Sequence, residues 1–310
     1  MAPLLLIGFS VFVILIFKSS NSPRGTFYDS AYWNHVFQKQ LSNDVEYLKS
    51  LSDHSSKDDV DDLSSSKLNL KRQAAVKKAA VHAWKSYSKN CWGKDEINPV
   101  EDKCVNWLNQ GSTIMDRMDT LLIMGFTEEF TKARNWVIDS MDTESDSFVS
   151  FFETGIRILG GMLSAYELTG EVDMPFLERC QVIGDKLLKV LNTPSGMPQA
   201  LVNFKTGEAK SHYRWHQGDF VVLAEVASNL LQFTTFSYHT RDSRYKNAAQ
   251  SDLDLITSYK KPIKGLYPLC VKHTIGGFCR NWFYREEHSI GGRGDSFYEY
   301  LLKMWILGDK

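Results

Sequence analysis

An all-α array of helical hairpins is the fold this sequence predicts, and three observations predict it. Apolar residues recur with helical period in one segment after another. Long alternating runs of the kind that make strands are few. The joins between helical segments, such as NTPSGMP at 192–198 and KKPIKGLYP at 260–268, carry the glycine and proline that end helices. With 310 residues, 43% of them hydrophobic, the chain can bury one large core or two ordinary ones.

Taken in order, residues 3–17 carry no charge and Lys18 ends the run. Besides a merely buried helix, the segment 1–20 therefore reads as a signal-anchor or a cleaved signal, its apolar run being shorter than the roughly 20 residues of a full span. Either reading sends the chain into the secretory pathway, although Lys18 and Arg24 follow the run and no basic residue precedes it, which does not favour a cytoplasmic N-terminus. Residues 21–67 turn polar, with Ser and Asp where a core needs apolar groups, and read as a stem. At Leu68 the pattern changes. Ala75, Val76, Ala79, Ala80 and Trp84 form one stripe and predict the first helix of a body spanning 68–310. Further helices are predicted over 114–126, 128–140, 153–169, 175–191, 219–238, 244–259 and 295–306.

Net charge is -1, from 36 basic and 37 acidic residues, so no overall field exists to hold phosphate backbones or an anionic membrane, and no nucleic-acid partner is expected. Five cysteines, at 91, 104, 180, 270 and 279, leave at least one thiol unpaired within the chain. Cys270 and Cys279 flank Gly276 and Gly277, where a turn could bring two strands together and an oxidising lumen could close a bridge. His212 and His216 have i, i+4 spacing, but no acidic or third ligand stands close in sequence, so zinc is not expected.

Three constellations could carry chemistry. Glu153 opens an apolar helix and Arg157 follows one turn later on the same face. A surface salt bridge is the plain reading of such a pair. Phe151, Phe152, Ile156, Ile158 and Leu159 argue otherwise, because apolar neighbours raise a carboxyl pKa while Arg157 opposes the rise, the kind of tuning a proton donor needs. Asp295 and Glu299 share a second helical face after a glycine-rich approach, SIGGRGD. Asp295 can cap that helix and still contact a ligand. Asp116 and Asp119 share a third face, at i, i+3.

These residues sit in blocks, AVKKAAVHAWKSYSKNCWGKDEINPV, MDTLLIMGF, FFETGIRILGGMLSAYELTG, TPSGMPQALVNFKTG and GDSFYEYLLK, whose order resembles the class I α-1,2-mannosidases of glycoside hydrolase family 47. The resemblance runs from about Leu68 to Lys310, and the WKSYSKNCWGKDE block is more similar to the processing enzymes than to the degradation-enhancing relatives.

The resemblance implies an (α/α)7 barrel of helical hairpins, of which the first half, about four hairpins, is present. It implies calcium as cofactor and inverting hydrolysis of terminal α-1,2-mannose from high-mannose N-glycans. Glu153 is then the proton donor, Asp295 a second catalytic carboxylate, and Asp119, Arg157 and Glu299 substrate-binding residues. The expected catalytic base and calcium-binding threonine fall beyond Lys310, which leaves no metal ligand assigned within the chain and predicts that these residues alone are inactive. Gln232 departs from the family, which has an acidic residue there, while Glu225 is retained. A non-catalytic mannose-glycan-binding protein or a degradation-enhancing relative is the alternative. Localisation is expected at the endoplasmic reticulum or Golgi membrane, held by the N-terminal segment, with the catalytic part lumenal.

Overall fold

The computed structural model describes residues 57–308, apart from 192, 195, 211–219, 262 and 273–286, with side chains from Ser66 onward. The apolar run at 3–17, most of the stem, His212, His216 and Cys279 lie outside the described residues. Among the described residues, no helix is long and apolar enough to cross a membrane.

Helix α1 (Lys57–Asn90) starts well before Leu68, inside the stretch that reads as stem. Once nucleated, a helix gains one backbone hydrogen bond per residue and needs no apolar stripe to continue. The stripe itself stays largely outside the core: Ala75, Val76 and Ala79 are exposed, and only Trp84 and Tyr87 near the C-terminal end are buried. Trp84 Nε1 donates to Glu129 Oε2 at 2.9 Å and pins that end to the body.

After α1 comes a short antiparallel hairpin, β1 (Glu96–Asn98) and β2 (Lys103–Val105), spanned by a Cys91–Cys104 disulfide. The sequence did not single out this pair. Cys180 is free and buried, which accounts for an unpaired thiol; Cys270 is disulfide-bonded, while the expected partner Cys279 lies outside the described residues. Behind the hairpin, Asp95 is fully buried and its carboxylate accepts the backbone N–H groups of Trp107, Leu108, Asn109, Gln110 and Ser112 at 2.6–3.1 Å.

Where one helix was expected over 114–126, two short ones form, α2 (Ser112–Met115) and α3 (Met118–Ile123). α4 (Thr127–Asp139) packs on α3 and buries Phe130, Ala133 and Val137 at i, i+3 and i+7. Strand β3 (Phe148–Ser150) runs straight into α5 (Phe151–Glu153), a π-helical turn (Thr154–Leu159) and α6 (Gly160–Leu168), a single rod whose middle is wider than its ends. Gly161 lets α6 approach the turn after α2 so closely that a Cβ would stand 2.3 Å from the Met115 carbonyl oxygen. α7 (Met174–Leu191) completes a hairpin with α6 and is tied to α4 by the fork of Arg134 on Asp173, two bonds of 2.7 Å.

β4 (Leu201–Asn203) and β5 (Ala209–Lys210) add to β3 in a small antiparallel sheet. The helix expected over 219–238 begins instead as strand β6 (Phe220–Val222) and breaks at Ser228 and Asn229 into α8 (Leu223–Ala227) and α9 (Leu230–Thr240). The Phe-Val-Val run favours the strand, which pairs with β7 (Cys270–Lys272). α10 (Ser243–Ser258) folds back on α9, and α11 (Asp295–Leu307) packs on α8 and α9. One core cluster runs from Trp84 to Ala249; a second, with Val221, Val226, Ile256, Tyr267 and Phe297, seats α11 on α8 and α10.

Candidate active site

The strand-to-helix junction after β3 positions the first acid. Ser150 keeps an extended backbone and its Oγ accepts the Glu153 N–H at 3.2 Å, which starts the helix there. Arg157 then donates from Nε to Glu153 Oε2 at 2.6 Å and from Nη1 to Asp116 Oδ2 at 3.0 Å. One guanidinium thus binds two carboxylates from different segments. Burial works against its charge, but the bonds and charges of Glu153 and Asp116 outweigh burial and raise its pKa above the ordinary value. The π-turn carries Arg157, and Gly155 within it lies under Asn229: a Cβ there would fall 1.7 Å from Asn229 Oδ1. Single π-turns concentrate at functional sites because they re-aim side chains without ending the helix.

Beside this pair lies a cavity of about 200 Å³, lined by Asp116, Arg157 and Ser164 on one side and by Gln232, Glu299, Tyr300 and Lys303 on the other. It is smaller than pockets that take drug-sized ligands, and the apolar side chains of Ile156, Leu163 and Leu231 line it as well. Of the five residues chosen from sequence, Arg157 and Glu299 line it, and Glu299 is paired with Lys303 Nζ at 2.5 Å. Glu153 is one hydrogen bond away through Arg157. Asp119 does not reach the cavity: it is 3% exposed, and Ser164 Oγ, which does line the cavity, donates to its Oδ2 at 3.1 Å. Burial raises the Asp119 pKa despite the bonds from Ser164 and Thr120. Asp295 is also outside the lining. It is the exposed first residue of α11, with Gly294 in the capping position, and its Oδ1 accepts the next N–H at 2.9 Å.

Several members of this surface carry no site role from sequence alone, among them Asp116, Ser164, Gln232, Tyr300 and Lys303. Asp116 was legible as an acid, but its role depends on Arg157, 41 positions away. Lys303 follows Glu299 at i, i+4, a signal that could have been used. Gln232 is 5% exposed and donates from Nε2 to Tyr300 Oη at 2.9 Å, across the α9–α11 contact. Burial, ahead of the charge on Glu299, lifts the Tyr300 pKa even against that bond.

A raised carboxyl also stands on the facing helix. Glu225 of α8 is pushed up to about 7, first by burial and then by the negative charge of Glu153. An acid whose folded pKa exceeds its unfolded value holds more protons when folded, so its neutral form supports the fold at low pH. Stability then falls as pH rises from about 4.5 to about 7 and levels off above. Glu225→Gln is expected to flatten this fall, with a gain at pH 8 on the order of 3 kcal/mol from the shift and little change at pH 4. Denaturant titrations of both proteins at the two pH values measure it; parallel pH profiles would count against the assignment.

The resemblance implies calcium. Among the described residues, no three His, Cys, Asp or Glu side chains stand together as a metal site. Glu153 and Asp116 already share Arg157, and Glu299 holds Lys303. A calcium ion takes 6–8 oxygens. These residues alone do not fit it.

With the geometry in place, comparison with known proteins is specific. Residues 79–310 match the family described as Glycosyl hydrolase family 47. The chain is 40% identical over 246 residues to the mannosyl-oligosaccharide 1,2-alpha-mannosidase MNS1 of Arabidopsis thaliana, covering 78% of this chain and 42% of that protein. It is 39% identical over 239 residues to the endoplasmic reticulum mannosyl-oligosaccharide 1,2-alpha-mannosidase of Rattus norvegicus, covering 77% and 35% respectively. Among solved structures, the alpha-1,2-mannosidase from Trichoderma reesei superposes with a TM-score of 0.67 at 28% identity, over 76% of this chain and 50% of that one. The chain thus spans well under half the length of these curated relatives, and its helical hairpins are those of an (α/α)7 barrel.

Proposed function

Because the chain belongs to glycosyl hydrolase family 47, we propose that it contributes one wall of the active site of a mannosyl-oligosaccharide α-1,2-mannosidase, acting on high-mannose N-glycans with inversion at the anomeric carbon. The observation that carries this reading is the Glu153–Arg157–Asp116 arrangement at the edge of a small cavity. Inverting hydrolysis needs an acid at the leaving oxygen and a second carboxylate to activate water, roughly 6.5–9.5 Å apart. Glu153 is the proton donor in this reading. Arg157 fixes its carboxyl and, by also holding Asp116, cannot swing away without breaking two ion pairs. Glu299, Ser164 and Gln232 offer polar contacts to sugar hydroxyls, Asp119 orients Ser164 from behind, and Asp295, exposed at the N-terminus of α11 and outside the cavity lining, is the second catalytic carboxylate on the strength of the family resemblance alone.

The same reading places the protein at the endoplasmic reticulum or Golgi membrane through residues 1–20, with the catalytic part lumenal and calcium as the cofactor. A non-catalytic glycan-binding role has only the departure at Gln232 in its favour. The direct test is proton NMR of a high-mannose glycan during digestion by the protein produced from its native transcript. β-Mannose is expected to appear first and to mutarotate to α, with only α-1,2 bonds cleaved. Initial release of α-mannose, or glycan binding with no release, would overturn the proposal.

A further inference from the structure

The balanced net charge conceals a basic stretch of α1, which follows four acidic residues, Asp58, Asp59, Asp61 and Asp62, at the start of that helix. No Asp or Glu occurs between Asp62 and Asp95, while Lys67, Lys71, Lys78, Lys85 and Lys89 are spaced by 4, 7, 7 and 4 residues. On α1 those steps return to the same side, so the five fall within about 40° of arc in a row about 33 Å long. All five are exposed, and none has an ion-pair partner among the described residues. Trp84 and Tyr87, which anchor the helix, are buried on its other side, so packing on the body leaves the row uncovered. Leu68 and Leu70, 47% and 53% exposed, flank the first lysine on either side.

We propose that this row docks the protein on an anionic phospholipid surface. A straight row on a rigid helix presents its ammonium groups to a plane, and each basic residue held near such a surface multiplies binding by roughly fivefold. Leucines beside lysines suit the boundary between headgroups and acyl chains, where apolar groups dip and charges stay wet. The chain also carries the uncharged, lipid-seeking run at 3–17, which precedes α1 in sequence and would tether the row to the same membrane. The inference goes beyond the mannosidase reading and does not depend on it.

The test is flotation of the full chain with vesicles of phosphatidylcholine alone and with added phosphatidylserine. Binding to the neutral vesicles reports the apolar run; the gain from phosphatidylserine reports the row. That gain is expected to be at least tenfold at low salt and to fade as salt rises. Lys71→Glu, Lys78→Glu and Lys85→Glu together should abolish the gain and leave neutral-vesicle binding unchanged, and the glutamine equivalents should lose most of it. The same number of reversals at Lys246, Lys260 and Lys264 should leave it intact. The proposal is overturned if phosphatidylserine gives no gain, if the reversals at Lys71, Lys78 and Lys85 keep it, or if the reversals at Lys246, Lys260 and Lys264 lose it equally. Binding of heparin through these lysines without a lipid gain would also overturn it and assign the row to a sulfated polysaccharide.

Discussion

Asp95→Ala is expected to destabilise the protein by about 3–5 kcal/mol. One carboxylate takes five backbone N–H groups from the loop between β2 and α2, at 2.6–3.1 Å. The Asp95 carbonyl oxygen accepts a further three bonds, from Ser112 Oγ and from the N–H and Oγ1 of Thr113. Alanine keeps the carbonyl bonds but leaves the five amide donors facing an empty, dry space. Unpartnered buried donors bear the full cost of desolvation, and bonds to a charged acceptor are the stronger kind. Asn is a poor substitute, because its NH2 group would face donors where the carboxylate presents a second acceptor. A thermal melt should show a Tm lower by roughly 10 °C, with the Cys91–Cys104 bridge intact. A shift of only a degree or two would mean that the loop finds other acceptors and that Asp95 does not organise it.

Glu153→Gln, in protein made from the native transcript, is expected to slow α-1,2-mannose release by about 10²–10⁴-fold. The amide has the same shape and its oxygen still accepts from Arg157 Nε, so the Arg157–Asp116 pair and the cavity wall should survive. What is lost is the transferable proton. Affinity for the glycan should therefore change by a few-fold at most, and the melting curve very little, since the exchange occurs at a part-exposed site. Steady-state kinetics separate the outcomes: a fall in kcat with KM nearly constant supports the assignment. Turnover within a few-fold of wild type removes Glu153 as donor, and loss of binding makes it a substrate-positioning residue instead.

The helices best read from sequence were those with one buried face and a local stop signal, such as α7, α10 and α11. Their apolar period is a property of neighbouring residues and is visible without knowing what covers them. Reading failed where a partner distant in sequence decided the local state. Phe220–Val222 became a strand because Cys270–Lys272 is beside it, and the Ala75–Ala79 stripe stayed exposed because nothing among the described residues packs against it. The Glu153–Arg157 bond was legible for the same reason as the helices, being one turn long. The attachment of Arg157 to Asp116 was not.

The sequence by itself therefore determined the helical class, the family and the acids near the site, since period, residue type and motif order all lie along the chain. The tertiary structure alone decided which of those acids meet: Arg157 and Glu299 on one cavity, Glu153 a bond behind, Asp119 screened by Ser164, and Asp295 outside at a helix start. It also decided where charge is costly, lifting Glu225 to about 7, first because its helix is buried and then because Glu153 lies near. Burial and charge proximity arise from packing between segments far apart in the chain, and no local pattern encodes that distance.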